Sequence, residues 1–322
     1  MVVRRRKVRR CSVSDEEWES GDTEAAMIVR DWRDADPSDT QVLYAREQEY
    51  WVRELAWDAS TAWREIEQAR VTWGLPGFLA IDTDRTLRGW AYFLPEGETV
   101  HLGGVVADTP EGTKVLLDAC LESALRPPRP ARVSCFLPIR AEAFEEVLRE
   151  RGFTCEHYRY LSRPISKGDD TAEGDGWNAS DLLPAAALLR ESYGIEGKHF
   201  APRGTPEEWE QYVRSLVERP GCGVIEPAIT RVVRNGTNLQ ALVLATRIAP
   251  GTLHLPQVAV HPTRRRQGLG RRLVEEACRS AAARGVKQAT LLVAESNANA
   301  RALYEKMGFT DTSAFLAGTL VL

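Results

Sequence analysis

Between Leu253 and Phe309 the chain carries two groups of residues whose types and spacing suit chemistry. The first is Thr263-Arg264-Arg265-Arg266-Gln267-Gly268-Leu269-Gly270. It follows an apolar run from Leu253 to Val260 and leads into a segment with apolar residues at 269, 273, 274, 277, 278 and 281. A strand, a glycine turn and a helix start in that order make an anion cradle. Gly268 and Gly270 bring no side chain, so successive backbone N–H groups can close on a phosphate, and the helix amino terminus adds about half a positive charge. Arg264, Arg265, Arg266 and Arg271 add full charges suited to a diphosphate or a ribose phosphate. The third glycine of the dinucleotide fingerprint and the Gly-Lys-Ser/Thr ending of a P-loop are both missing. Taken alone, such a turn is as often an ordinary solvated helix start.

The second group lies downstream. Thr290 to Ala294 reads as a short strand, and Asn297 then caps a helix with an apolar stripe at Ala300, Leu303, Tyr304 and Met307, stopped by Gly308 and followed by Phe309. By itself this is a core-packing helix whose Tyr304 fills space. No Gly-x-Ser-x-Gly elbow or other activated nucleophile accompanies it.

Together the two groups resemble the GNAT superfamily of acyl-CoA N-acyltransferases. That signature pairs Arg/Gln-x-x-Gly-x-Gly/Ala after the fourth strand with a later Asn-x-x-Ala…Leu-Tyr…Gly-Phe segment. Here it reads Arg265-Arg266-Gln267-Gly268-Leu269-Gly270 and Asn297-Ala298-Asn299-Ala300-Arg301-Ala302-Leu303-Tyr304-Glu305-Lys306-Met307-Gly308-Phe309, so the resemblance covers roughly residues 177 to 322. It implies an α/β fold, an α+β mixed sheet whose fourth and fifth strands splay apart around acyl-CoA. Residues 265 to 271 would wrap the pyrophosphate, the backbone of Val258 and Val260 would pair with the pantetheine arm, and Asn297 would face the cofactor near its thioester. An amine would attack acetyl-CoA directly, with Tyr304 as general acid and a backbone N–H near Val258 polarising the carbonyl. Glu295 and Gln257 are the nearest positions for a general base. Gln257 accepts no proton at neutral pH and would only orient a water.

What must position these residues is a scaffold the chain contains twice. A chain of 322 residues suits two domains. The polar segment Pro164 to Asp181 has linker composition, and the sequences on either side of it align: Thr99 to Val105 with Thr252 to Val258, Ala119-Cys120 with Ala277-Cys278, Gly152-Phe153 with Gly308-Phe309. Hairpins are expected at Asp82-Thr83-Asp84 and Asn235-Gly236. In the first half, however, the glycine loop shrinks to Asp108-Thr109-Pro110-Glu111-Gly112-Thr113, Leu148 stands where Tyr304 is, and Ala141 stands where Asn297 is. The organisation read from this is a tail over 1–26, a degenerate GNAT-like domain over 27–165, a linker over 166–180 and a catalytic domain over 181–322: two tandem GNAT-like folds. Seven of the nine tryptophans lie at or before position 90, most of them expected in the core, some available to line an acceptor cleft.

Composition bounds the partners. The net charge of −4 lacks the basic excess expected for nucleic acid, and no apolar run is long enough for a membrane span. Six cysteines without a C-x-x-C pair fit a reduced cytoplasm, and five histidines without a Cys/His cluster argue against a metal. The basic run Arg4 to Arg10 reads as a solvated tail. The expected co-substrate is acetyl-CoA or another acyl-CoA. The acceptor, an amine-bearing small molecule or a protein amino group, stays open, as does monomer against homodimer. The alternative is a non-catalytic acyl-CoA sensor or interaction module.

Overall fold

The computed structural model describes residues 27–140, 143–166, 175–193, 204–219 and 221–322. The basic tail, Ala141 and most of the linker lie outside them. The first half runs β1 (Ile28–Asp31), α1 (Pro37–Leu55), α2 (Ser60–Trp73), β2 (Gly77–Ile81), β3 (Leu87–Glu96), β4 (Thr99–Ala107), α3 (Pro110–Ala124), β5 (Arg132–Pro138), α4 (Ala143–Glu150) and β6 (Thr154–Pro164). The second half repeats the order with α5 (Leu182–Tyr193), α6 (Pro206–Glu218), a short β7 (Val224–Ile225), β8 (Arg231–Asn235), β9 (Asn238–Ala249), β10 (Thr252–Val260), α7 (Leu269–Ala283), β11 (Gln288–Ala294), α8 (Ala298–Lys306) and β12 (Thr310–Val321).

Local chemistry sets many of these boundaries. Asp36, Thr109 and Thr205 each cap a helix through the side chain, and each is followed by proline at the first helical position, where a missing N–H costs nothing. The tight turn into β9 uses Gly236 at φ 61°, a conformation open to glycine without a Cβ clash.

All the strands join one mixed sheet in the order β1-β2-β3-β4-β5-β12-β6-β11-β10-β9-β7, with β8 also paired to β9. Each half contributes an antiparallel set ending in one parallel pair, β4 with β5 and β10 with β11. The last strand of each half then lies against the other half. β12 pairs with β5, β6 pairs with β11, and β6 and β12 pair with each other at Phe315 and Tyr158. A cut in the linker therefore separates β6 from its neighbours on both sides.

Side-chain alternation fixes the layers. On β9, Ala241, Val243 and Ala245 pack under α7, whereas Leu242 and Leu244 pack under α5 and α6. Ile248, of the same parity as Leu242, joins the aromatic cluster beneath α1 and α2. So α1, α2, α5 and α6 cover one face. On β3, Ala91 and Phe93 turn to α3 and α4, on the opposite face, while Trp90 and Tyr92 join the α1/α2 cluster.

The tryptophans of the first half are mainly core. Trp32, Trp57, Trp63 and Trp90 are buried, while Trp73 is 77% exposed. Across the seam between halves, His254 stacks near Trp57 and Tyr160, and Asp58 N–H donates to the Ile248 carbonyl at 2.8 Å; within the first half the Tyr160 hydroxyl donates to the Leu55 carbonyl at 2.9 Å.

Candidate active site

The two parallel pairs are short, and that shortness creates a cleft. β10 holds β11 only through Thr252, Leu253 and His254, whereas it stays paired with β9 as far as Val260. Beyond His254 the two strands separate. The His261 N–H donates to Gln240 on the β9 side. By antiparallel alternation, residues 257 and 259 also turn their backbone groups to β9, and Val258 and Val260 turn theirs to the open edge. An extended chain laid in the gap would meet those groups as a neighbouring strand would.

The open edge ends at the arginine-glycine turn. Arg266 has φ 62° and Gly268 φ 78°, and Gly268 is the N-cap of α7. Left-handed residues in such a turn aim successive N–H groups inward, which makes an anion nest at the positive end of the helix. A Cβ built on Gly268 meets nothing within 4 Å, and one on Gly270 would come to 3.5 Å from Val260. The cradle is thus open, and its residues fit a diphosphate. The arginines divide the work. Arg265 donates to the Ser192 carbonyl at 2.6 Å and to the Val260 carbonyl at 3.3 Å, tying the loop to α5 and β10. Arg271 bonds Glu275 at 2.8 Å along its own helix. Arg264 and Arg266 are exposed at the turn, and Gln267 donates to the Thr263 carbonyl at 3.3 Å, closing it. Leu269 begins α7 and packs against the core under it.

Across the gap, Asn297 caps α8 by accepting from Ala300 N–H at 3.2 Å. Tyr304 follows on α8, 7% exposed, its ring edge-on to Phe309. Burial, with a smaller contribution from nearby Tyr193, raises its phenol above the usual value. Tyr304 is therefore fully protonated at neutral pH, the form a proton donor needs. Glu295 stands at the end of β11 and is bonded by Arg159 of β6 at 2.7 Å. That arginine holds its carboxyl below the usual range, which makes Glu295 a weak base. Gln257 is 2% exposed, accepting from the Tyr193 hydroxyl at 2.7 Å and donating to the Tyr212 hydroxyl at 2.6 Å.

Sequence reasoning missed this last chain and one more carboxylate. Tyr193 on α5 and Tyr212 on α6 carry no motif; burial pushes Tyr193 up to about 12. Glu156, on β6, accepts from Ser296 Oγ at 2.7 Å and from the Tyr158 hydroxyl at 3.0 Å. Ser296 is 140 residues away in sequence, so no spacing could signal it.

The matching cleft of the first half has been filled. β4 leaves β5 after Leu102, but a Cβ on Gly103 would lie 2.1 Å from the Tyr92 ring. Trp51, Trp63, Trp90 and the ion pair of Glu47 with Arg140 close around a cavity of about 20 Å³, room for a single water. At the shortened loop Thr109 caps α3, Arg46 pairs with Asp108, and Leu148 is wholly buried. Among the described residues no group of three or more His, Cys, Asp or Glu is placed to hold a metal, and no helix is long and apolar enough to cross a membrane.

Residues 188–309 match the sequence model of the acetyltransferase (GNAT) family. No curated protein sequence matches the chain. Among solved structures, a GCN5-related N-acetyltransferase from Sphaerobacter thermophilus is similar at 18% identity and a TM-score of 0.64, over 92% of this chain and 95% of that one. An acetyltransferase of the GNAT family from Colwellia psychrerythraea aligns at 11% identity and TM-score 0.53, over 91% and 99% of the two chains. A tandem GNAT protein from the clavulanic acid biosynthesis pathway aligns at 16% identity and TM-score 0.50, over 77% and 82%. At these identities the solved structures establish the fold, an α/β pair of tandem GNAT-like units.

Proposed function

From a chain whose residues 188–309 are a domain of the GNAT acetyltransferase family, we propose that this protein is an N-acyltransferase moving an acetyl or other short acyl group from acyl-CoA to a primary amine. The observation that carries this reading is one continuous path: the open edge of β10 at Val258 and Val260, ending on the nest of residues 266 to 270, with the protonated phenol of Tyr304 across the gap. In this reading the nest and Arg266 hold the diphosphate, and Val258 and Val260 hold the pantetheine amides. The Val258 N–H polarises the thioester carbonyl as charge develops on its oxygen. The amine attacks that carbon directly, the C–S bond breaks, and Tyr304 gives its proton to the departing sulfur. Asn297, its carbonyl engaged in capping α8, has its amide N–H₂ left to meet the thioester end.

The filled cleft of the first half supports a single CoA site per chain. The acceptor is an amine-bearing small molecule or a protein amino group, and no metal enters the reaction. One observation favours a second reading, an acyl-CoA-binding module without turnover: Glu295, a candidate base, is bound by Arg159. A screen of primary amines with acetyl-CoA, reading free thiol release, separates the two. Release above the amine-free rate supports the transferase. CoA binding without release for any small amine or lysine peptide would replace it with the binding module.

A further inference from the structure

The first half, whose own cleft is filled, keeps a pocket that acyl transfer leaves unused. α1 and α2 each turn one stripe of residues spaced i, i+3, i+4 and i+7 towards the other, from Gln41 to Gln48 and from Ser60 to Glu67. Between the stripes lies an open pocket of about 360 Å³, the size of a small-molecule site. Its floor is aromatic. Tyr44 and Trp63 are each 9% exposed, with rings 12° from parallel and centroids 6.1 Å apart, while Ala45, Ser60 and Arg64 stand exposed around them.

Two polar atoms of the lining residues are left over. Gln48 Nε2 donates to Asp58 at 3.0 Å, but Gln48 Oε1 and Trp63 Nε1 are buried without a partner among the described residues. Leaving a buried acceptor and a buried donor unpaired costs stability that a ligand can return.

The charge of the lining is uneven. Arg70 bonds both oxygens of Glu67, at 2.7 and 2.8 Å, and the Tyr44 hydroxyl adds a bond at 2.9 Å. The Arg70 guanidinium holds Glu67 below the usual carboxylate range, so its charge is already matched. Arg64 is different. It donates to Thr61 Oγ1 at 3.0 Å and forms no ion pair among the described residues. Asp58, close enough to feel Arg64, is bonded instead by the Gln48 amide and the Ser60 N–H. One positive charge at the rim therefore stays without a carboxylate of its own.

We infer that this pocket is a second ligand site of the chain and that its ligand is a small aromatic carboxylate, the ring lying on Tyr44 and Trp63 and the carboxylate on the Arg64 guanidinium. The planar fork of an arginine matches a carboxylate in two parallel bonds, and a flat ring packs on aromatic side chains. A ring N–H on the ligand suits Gln48 Oε1. A cationic amine suits the pocket poorly, because it meets Arg64 and finds Glu67 already paired. Binding here needs neither acyl-CoA nor turnover, so its test stands apart from the transferase reading.

Indole-3-acetate, the uncharged indole-3-acetamide and the cationic tryptamine share one ring system and differ in charge. Titrated into the full chain in a calorimeter, indole-3-acetate should saturate with a Kd of about 1 mM or tighter, ordinary for a ligand of its size. The amide and tryptamine should bind about tenfold or more weakly, because they lose the charge-assisted pair. Arg64→Gln should remove the difference between acid and amide. Ala45→Phe sends a ring into the pocket from an exposed helical position, so it should abolish binding while the unfolding midpoint of the free chain stays unchanged. The inference is overturned by a wild type that does not bind indole-3-acetate, or that binds the amide or tryptamine as tightly. It is equally overturned if Ala45→Phe binds the acid like the wild type, or if Arg64→Gln still prefers acid to amide.

Discussion

Gly268→Asp tests the cradle most directly, provided it is read beside Gly268→Asn. Gly268 sits at φ 78°, ψ 0°, and a Cβ there meets no atom within 4 Å. The two replacements therefore share the same volume and the same left-handed backbone cost of about 1 kcal/mol. They differ in one negative charge. With that carboxylate roughly 5 Å from a diphosphate of charge about −2, in a half-solvated loop of effective dielectric about 40, Coulomb's law gives a repulsion of about 3 kcal/mol. That is a roughly 10²-fold weaker Kd for CoA in the aspartate than in the asparagine variant. The gap should shrink as salt rises, because the screening length falls from about 10 Å at 0.1 M to about 3 Å at 1 M. Calorimetric titration of both variants with CoA at two ionic strengths measures it. The turn is exposed, so thermal unfolding should move by only a few degrees. Equal CoA affinities for the wild type and both variants would mean that the diphosphate does not lie at this turn. Equal losses in both variants would mean that volume, not charge, governs the site.

Three further outcomes follow from the same geometry. Titration should give one CoA per chain, because Tyr92 and the tryptophans occupy the matching cleft of the first half; two equivalent sites would contradict that. Tyr304→Phe keeps the ring against Phe309 and removes only the hydroxyl, so CoA affinity should hold while turnover falls about 10²–10⁴-fold; a wild-type rate would send thiolate protonation to water or another group. Burial holds His254 down to about 3 against an ordinary 6.5, so the folded chain keeps it neutral while the unfolded chain protonates it below about 6.5. Its contribution is complete above that value and is lost as the pH falls from 6.5 towards 3, at up to about 1.4 kcal/mol per pH unit. Urea midpoints at pH 7 and 5 should therefore converge more in His254→Gln than in the wild type; parallel shifts would refute it.

The glycine turn at the head of α7 was legible because every part of it is local. The apolar run before His261, the glycine at the head of α7 and the 3.6-residue apolar period after it each have a short-range cause. The cap at Asn297 and the stop at Gly308, φ 82°, are equally local. The repeat was legible for a related reason, since matching strands and helices return in the same order. Glu295 and Gln257 show the limit of position. Their places on the strands could be read, but Arg159 and the two tyrosines that occupy them come from other elements.

By itself, then, the sequence determined the element order, the glycine turn ahead of α7 and which half carries Asn297 and Tyr304, because φ preferences, caps and apolar periods act within a few residues. Tertiary structure alone decided which half each final strand completes. β12 is buried without a break from Phe315 to Thr319, and β6 is buried at Tyr158, Tyr160 and Leu161, so neither pattern names its neighbour; the pairing is chosen by contacts between residues far apart in the chain. That choice brings Glu156 to Ser296, while the packing of α5 and α6 on β10 sets Tyr193, Gln257 and Tyr212 in one chain of hydrogen bonds.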